Sequence, residues 1–264
     1  MVNRFVLYFR RRVLIEIRRF MELYARIYLK RHSELWKELV QYQKKTGSTG
    51  CNLTDYYVLY RRIRKLMPTE VLECGTGTST LVIAHALMEN EKETGRQGRV
   101  TSMEEEIEYA DMAKKLLPDV YRDKVEIVFS PTIEDCYSMF RGIRYQDVPK
   151  REYDFVFVDG PKYVSPHDNH MNFDFDYLHI LRNSNIPVDG LIDQRVSTVF
   201  VLQQLLGVDK IRYSPALGLC HVSAEKSDLG EVSNDLSSAN FVPSFRILNR
   251  TRLAMHPLIR KLRN

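Results

Sequence analysis

Glu73-Cys74-Gly75-Thr76-Gly77-Thr78-Ser79-Thr80 follows the β-forming pair Val71-Leu72 and runs straight into an apolar stretch with helical spacing. A strand, a bend carrying two glycines and a helix in immediate succession form a β-to-α unit of the kind that binds ligands at its bend. Gly75 permits the tight turn, and Gly77 lets the backbone come close to a ligand. Outward from this unit the alternation continues. Residues 71–74, 100–103, 125–129, 153–158 and 190–192 read as strands, and residues 79–89, 105–117, 133–140 and 196–206 as helices. Residues 90–98 read as a polar loop, 54–66 as a short helix, and 211–214 with 219–223 as a closing antiparallel pair. Five strands separated by helices predict an α/β protein with a Rossmann-like, doubly wound, mainly parallel sheet covered on both faces.

What the bend lacks narrows its ligand. A P-loop needs Gly-x-x-x-x-Gly-Lys-Ser/Thr, and that lysine is missing; a dinucleotide fingerprint prefers a third glycine, where the chain has Thr80. Glu73, two residues ahead of the first glycine, would repel a pyrophosphate and attract a cation. S-adenosylmethionine carries both an ammonium and a sulfonium.

The stretch resembles motif I of the class I S-adenosylmethionine-dependent methyltransferases, acid-x-Gly-x-Gly at the end of the first strand, and the resemblance runs from about residue 69 to 223. It implies S-adenosylmethionine held by Glu73, Gly75, Thr76, Gly77, Thr78 and Ser79, with Glu104 at the end of the second strand taking the ribose hydroxyls. A carboxylate accepts two such hydrogen bonds. The other reading of Glu104, in a run of three glutamates, is charge complementarity with a helix N-terminus. Ser130, Pro131 and Thr132 fall where the adenine side would be.

The fourth strand ends Val158-Asp159-Gly160-Pro161-Lys162 and the fifth Asp193-Gln194-Arg195. Together these ends look like the metal-dependent O-methyltransferases acting on catechols and caffeoyl-coenzyme A, whose strands supply Asp-x-x-Lys and Asp-Asn. The likeness implies a metal site of Asp159, Asp193 and Gln194, with Gln194 departing from the family's Asn, and catalytic roles for Asp159 and Lys162. Oxygen donors favour Mg²⁺ or Mn²⁺. Residues 166–177 are dense in polar and aromatic side chains and read as an acceptor-binding lid, with His167 and His170 as candidate bases or ligands. The Val-Asp-Gly-Pro turn also looks like sugar- and polysaccharide-modifying relatives. The expected activity is O-methylation of a small-molecule or glycan hydroxyl; the alternatives are an RNA-binding methyltransferase-like protein and a non-catalytic scaffold of the same fold.

Charge divides the chain into an expected helical extension (1–50), a methyltransferase domain (51–225) and a basic tail (226–264). Residues 1–31 carry nine Lys/Arg against two acids, a net +7, residues 243–264 carry +6, and the remainder is −8 within an overall +5. Val2, Phe5, Phe9, Val13, Ile17, Phe20, Tyr24 and Ile27 recur at helical steps among the N-terminal arginines. That pattern predicts a helix that contacts a membrane face or a second subunit. The arginines interrupt any signal-peptide core, no run of 18 apolar residues occurs, and the four cysteines lack zinc-type spacing. The expectation is therefore a cytoplasmic protein, peripheral at most, with no structural zinc. Nucleic acid is not an expected partner, because the basic ends lack interleaved stacking aromatics.

Overall fold

The computed structural model describes residues 4–46 and 52–230. In chain order the elements are α1 (Arg4–Arg31), α2 (Ser33–Thr46), α3 (Leu53–Leu66), β1 (Glu70–Cys74), α4 (Thr78–Thr94), β2 (Arg99–Glu104), α5 (Ile107–Leu116) and β3 (Val125–Phe129). They continue with β4 (Thr132–Tyr137), β5 (Phe140–Tyr145), β6 (Phe155–Val158), β7 (Phe173–Asp174), α6 (Asp176–Asn183), β8 (Val188–Asp193), α7 (Val196–Leu206), β9 (Ile211–Ser214) and β10 (Leu219–Ala224). Residues 47–51, in the turn-rich break that Thr46-Gly47-Ser48-Thr49-Gly50 predicts, and the tail beyond residue 230 lie outside the described residues.

Seven strands form one sheet in the order β3-β2-β1-β6-β8-β10-β9. The first five are mutually parallel, and β10 runs antiparallel to β8 and β9. This is the doubly wound, mainly parallel sheet of the expectation. The chain steps outward from β1 through β2 to β3, then returns to the other side of β1 as β6. Strand order therefore reverses between β1 and β6, and a crevice opens beyond their carboxyl ends. The buried apolar strands account for the placement: Val71, Leu72, Phe155, Val156, Phe157 and Val158 are fully enclosed, as strands covered on both faces must be.

Three expectations need correction. Residues 133–140 form no helix. Thr132–Tyr137 and Phe140–Tyr145 pair as an antiparallel hairpin through Ser138 and Met139, and β5 also pairs with β7 in a second, three-stranded sheet. The spacing of apolar residues there suits either state. Tertiary packing decides it, because Phe140, Ile143 and Tyr145 face the core and Gly142 admits the ring of Phe175 where any Cβ would collide. The segment expected as a lid also divides. Residues 172–177 are core, whereas residues 164–171 are a largely exposed loop tied down by Arg141–Asp168 at 2.7 Å. In addition, α4 runs on through residues 90–94, where a loop is predicted. Buried Asn90 donates to the carbonyl of Ile63 and accepts from Arg64, and Gly95, with φ of 72°, ends the helix.

The N-terminal helices share a core with the sheet. Ala25, Leu29, Leu35 and Leu39 are enclosed against α3 and α4. The α1–α2 corner at His32 rests on a polar knot in which the Tyr60 hydroxyl meets His32 Nδ1 at 3.2 Å and bonds to Glu89, while His85 bonds to the hydroxyl of Tyr121 at 3.0 Å. Farther along α1, Glu22 accepts the backbone N–H groups of Leu53 and Thr54, each at 3.0 Å, and the Thr54 hydroxyl at 2.8 Å. It thereby satisfies two of the orphan donors at the start of α3. No helix among the described residues is long and apolar enough to cross a membrane. Replacing Glu22 with Ala should lower stability by about 1–2 kcal/mol in urea titrations, because a long-range helix cap is lost.

Candidate active site

At the strand reversal two loops meet backbone to backbone. Gly75 has φ of +98°, and a Cβ placed there would lie 2.8 Å from the amide nitrogen of Gly160; one placed on Gly160 would lie 2.7 Å from Gly75 Cα. The N–H groups of Asp159 and Gly160 both donate to the carbonyl of Cys74, and that of Gly75 donates to the carbonyl of Met103 at 3.0 Å. The ends of β1, β2 and β6 are thus strapped together. Gly77 differs, since a Cβ there would meet nothing within 4 Å. Its bend faces open space.

Behind the bend lies Glu73, with no exposed surface. One carboxylate oxygen, Oε2, accepts the hydroxyls of Thr80 and Ser102, each at 2.6 Å. Thr80 in turn accepts the N–H of Gly77 at 3.0 Å, so the residue that replaces a third glycine locks the bend to the acid. The other oxygen, Oε1, is buried without a partner. Burial raises the Glu73 pKa to about 7, opposed by the hydroxyls of Ser102, Ser79 and Thr80, with the charge of Asp159 adding to the rise.

Three further carboxylates gather beside it. Asp193, half-buried at the end of β8, hydrogen-bonds to Asp159 at the end of β6. Burial, followed by the charges of Asp55 and Asp159, pushes the Asp193 pKa well up. The contact with Asp159 thus favours the protonated form of Asp193. Asp55, on the first turn of α3, caps its own helix through the N–H of Asn52 at 2.9 Å, and burial raises its pKa to about 6. Asp55 Oδ1 and Asp193 Oδ1 are buried without partners, as Glu73 Oε1 is. Unpaired carboxylate oxygens converging from α3, β1 and β8 are what a cationic ligand would satisfy.

Next to these acids is a cavity of about 420 Å³ between α1 and the β9–β10 turn. Asp55 and Gln194 line its inner side, and Arg18, Arg19 and Glu22 of α1 its outer side. Gln194, with φ of 40°, sits against Gly218, and Arg18 donates to the carbonyl of Pro215 at 2.9 Å.

Not all of the residues singled out in the sequence come together. Glu104 is nearly buried at the end of β2, accepts the N–H of Glu106 at 3.1 Å, and has its pKa raised to about 6 by burial. Thr78 and Ser79 are buried at the start of α4, Thr78 Oγ1 without a partner, and Thr76 lies 3.4 Å from the Thr80 hydroxyl. The Ser130 hydroxyl is spent internally, donating to the carbonyl of Pro131 and accepting the N–H of Asp147. Lys162 is 73% exposed and paired with Glu106, which raises its pKa and keeps it cationic. His167 and His170 are exposed on the outer loop, the latter 3.3 Å from Asp168. Lys162 and both histidines therefore stand outside the carboxylate cluster.

Sequence reasoning missed Arg195 and Asp55. Buried Arg195 donates to the carbonyls of Asp159 and Pro161, lies 3.6 Å from Asp174 and stacks 4.7 Å over the ring of Tyr163. It clamps the β6 loop to β8. Its position directly after Asp193-Gln194 was a usable signal. Asp55 offered none, since only the packing of α3 brings it to the strand ends.

No family model matches the chain, and no curated protein matches it. Solved structures that resemble it include a methyltransferase from Geobacter sulfurreducens, at 14% identity and a TM-score of 0.45, covering 72% of this chain and 88% of that one. The O-methyltransferase TomG from Streptomyces achromogenes, solved with SAM, shares 18% identity at a TM-score of 0.41 over 70% of this chain and 73% of its own. An O-methyltransferase from Bacillus cereus, solved with SAH, shares 18% at 0.40 over 70% and 74%. All three scores fall below 0.5, so the reading of the site rests on strand order and side-chain geometry.

Gly160→Ala should cost on the order of 1–3 kcal/mol in chemical denaturation, because its Cβ drives two backbones apart. The pH dependence tests Glu73. A carboxyl with a folded pKa of about 7 and an unfolded value of about 4.3 contributes its full stability below the unfolded value and loses it as pH rises through the folded one. Relative to wild type, Glu73→Gln should therefore gain on the order of 3 kcal/mol between about pH 4 and pH 7. A pH-independent difference between the two proteins would contradict the burial of an ionisable Glu73.

Proposed function

We propose that this protein is an S-adenosylmethionine-dependent methyltransferase acting on a hydroxyl oxygen of a small-molecule or glycan acceptor. The observation that carries the reading is the unpartnered carboxylate oxygen of Glu73, buried directly behind a glycine bend whose outer side is open. An anionic atom that lacks a partner at a strand reversal suits a cationic adenosyl compound and disfavours a pyrophosphate.

In this reading Glu73 and the bend from Gly75 to Ser79 hold the amino-acid end of the cofactor, Glu104 takes the ribose hydroxyls, and the backbone around Ser130 borders the adenine. The bound cofactor supplies an electrophilic methyl group and departs as a neutral thioether. The protein's own task is alignment and removal of one proton. The Arg195 clamp fixes the Asp159 loop against β8, which sets where the acceptor oxygen can approach. With Lys162 held as a cation and His167 on the outer loop, the proton passes from the acceptor hydroxyl to a carboxylate oxygen of the Asp159–Asp193 pair. That all-oxygen pair also fits Mg²⁺ or Mn²⁺, which would take the place of the Asp193 proton and acidify the hydroxyl, with Gln194 beside it on the cavity wall. The cavity of about 420 Å³ is the acceptor's place, and a monosaccharide-sized group suits it. A cytoplasmic location accords with Cys74, Cys136 and Cys220, which are free thiols.

Calorimetric titration of the full chain with S-adenosylmethionine and with its demethylated product tests the reading. Both should bind. Gly77→Val should weaken binding by at least about 100-fold while leaving the denaturation midpoint unchanged, and Asp159→Ala should retain binding and lose turnover of hydroxyl acceptors. Affinity for a pyridine dinucleotide in place of both compounds would overturn the assignment, and binding without turnover on any hydroxyl acceptor would leave a scaffold of the same fold.

A further inference from the structure

Helix α1 has two faces of opposite character. Ala25, Leu29 and Glu22 point inward, to the core and to the start of α3. The reverse face carries Phe9 (61% exposed), Val13, Ile17, Phe20 (66%), Leu23 (56%), Tyr24 and Ile27 (51%), all open to solvent. This stripe runs for about 27 Å along the helix. Arg12, Arg19 and Arg26, spaced by seven residues and all exposed, form a ridge along one of its edges. Glu16, exposed within this stripe, pairs with Arg19 of the ridge at 2.9 Å, and the large apolar side chains on either side of it form the kind of surface band that marks a contact site.

We propose that α1 docks this face in the plane of an anionic lipid surface, its apolar stripe entering the acyl boundary and its arginine ridge lying at the headgroups. Three observations select that occupant. A nucleic acid would match the arginines but would leave the aromatic and aliphatic stripe in water. A second copy would match the stripe but not the charges: antiparallel pairing sets the arginine ridges against each other, in parallel pairing the opposite edge offers Ile17 and Tyr24, and the one acid on this face, Glu16, is already held by its own Arg19. The stripe, moreover, spans fewer than three heptads, short for a self-standing coiled coil. An anionic bilayer satisfies both features at once. Net charge also favours this orientation, since residues 1–31 carry +7 while residues 32–242 carry −8, so the surface attracts α1 and repels the acidic body. Glu22 and the Arg18–Pro215 bond hold α1 in place, so the face is presented without refolding. The inference does not depend on the methyl-transfer reading.

Flotation of the full chain with vesicles of phosphatidylcholine alone, and of phosphatidylcholine with phosphatidylglycerol, tests it. Wild type should float with the anionic vesicles and stay behind with the neutral ones, and added salt should weaken the partition. The Arg19→Glu/Arg26→Glu variant should lose on the order of 25-fold in anionic partition or more, at about five-fold per basic residue. Phe20→Ser/Leu23→Ser should also lose partition, and because all four positions are exposed, both variants should keep the wild-type denaturation midpoint. Failure of the wild type to float with anionic vesicles at low salt would overturn the proposal. So would equal flotation with neutral vesicles, a sedimenting dimer that Phe20→Ser/Leu23→Ser splits while vesicles go unbound, or a gel shift with RNA that the serine variant retains in full.

Discussion

The fold turns on a place where two backbones touch with no side chain between them. Gly75 and Gly160 end strands that run side by side, and their contact lets the loops after β1 and β6 share the carbonyl of Cys74. Without it the crevice at the strand reversal would be wider, and Asp159 would not stand next to Asp193. The neighbouring Gly77 is bare for a different reason. A Cβ there would meet nothing within 4 Å among the described residues, so the outer side of the bend is open. Two glycines in one short motif thus serve two separate constraints, one internal and one facing outward.

Electrostatics builds on that geometry. Glu73, Asp55, Asp159 and Asp193 crowd together with three buried oxygens unpaired, an arrangement that costs stability unless protons or a cation are present. Arg195, the buried cation next to them, is turned to the carbonyls of the β6 loop and to Asp174, so it braces the site while only partly opposing the burial of Asp193. A site left net negative in this way trades folding stability for affinity toward positive charge. In the proposed function, the positive charge that meets it would be the sulfonium of the cofactor or a metal ion.

Local pattern made the sheet legible. The five parallel strands, the closing antiparallel pair and the glycine bend could all be read because buried parallel strands are short apolar runs bounded by turn residues. The β4–β5 hairpin was not, since the periodicity of residues 133–140 suits helix and strand alike and only pairing with β7 decides between them. The site was legible at its strand ends, where Glu73, Asp159 and Asp193 could be named. Lys162 and the two histidines illustrate the limit. Spacing places a residue near a strand end, but which way its side chain points depends on partners such as Glu106 and Asp168, which no local pattern specifies. Asp55 shows the converse, a residue remote in sequence that helix packing delivers to the cluster.

The N-terminal helices are best understood through what each face of α1 touches. Its inner face completes the core around Leu29, Leu35 and Leu39, so the sheet's helical layer is unfinished without it. Its middle edge, at Arg18, Arg19 and Glu22, forms the outer wall of the cavity that Asp55 and Gln194 line from within. Glu22 belongs to both roles, because the carboxylate that walls the cavity also caps α3, and α3 begins with the turn that holds Asp55. A shift of α1 would therefore pull on the first turn of α3 and on the carboxylate cluster through one residue. Among the described residues nothing covers the outer face, and the anchorage that Glu22 provides means that whatever meets this face meets a wall of the cavity as well.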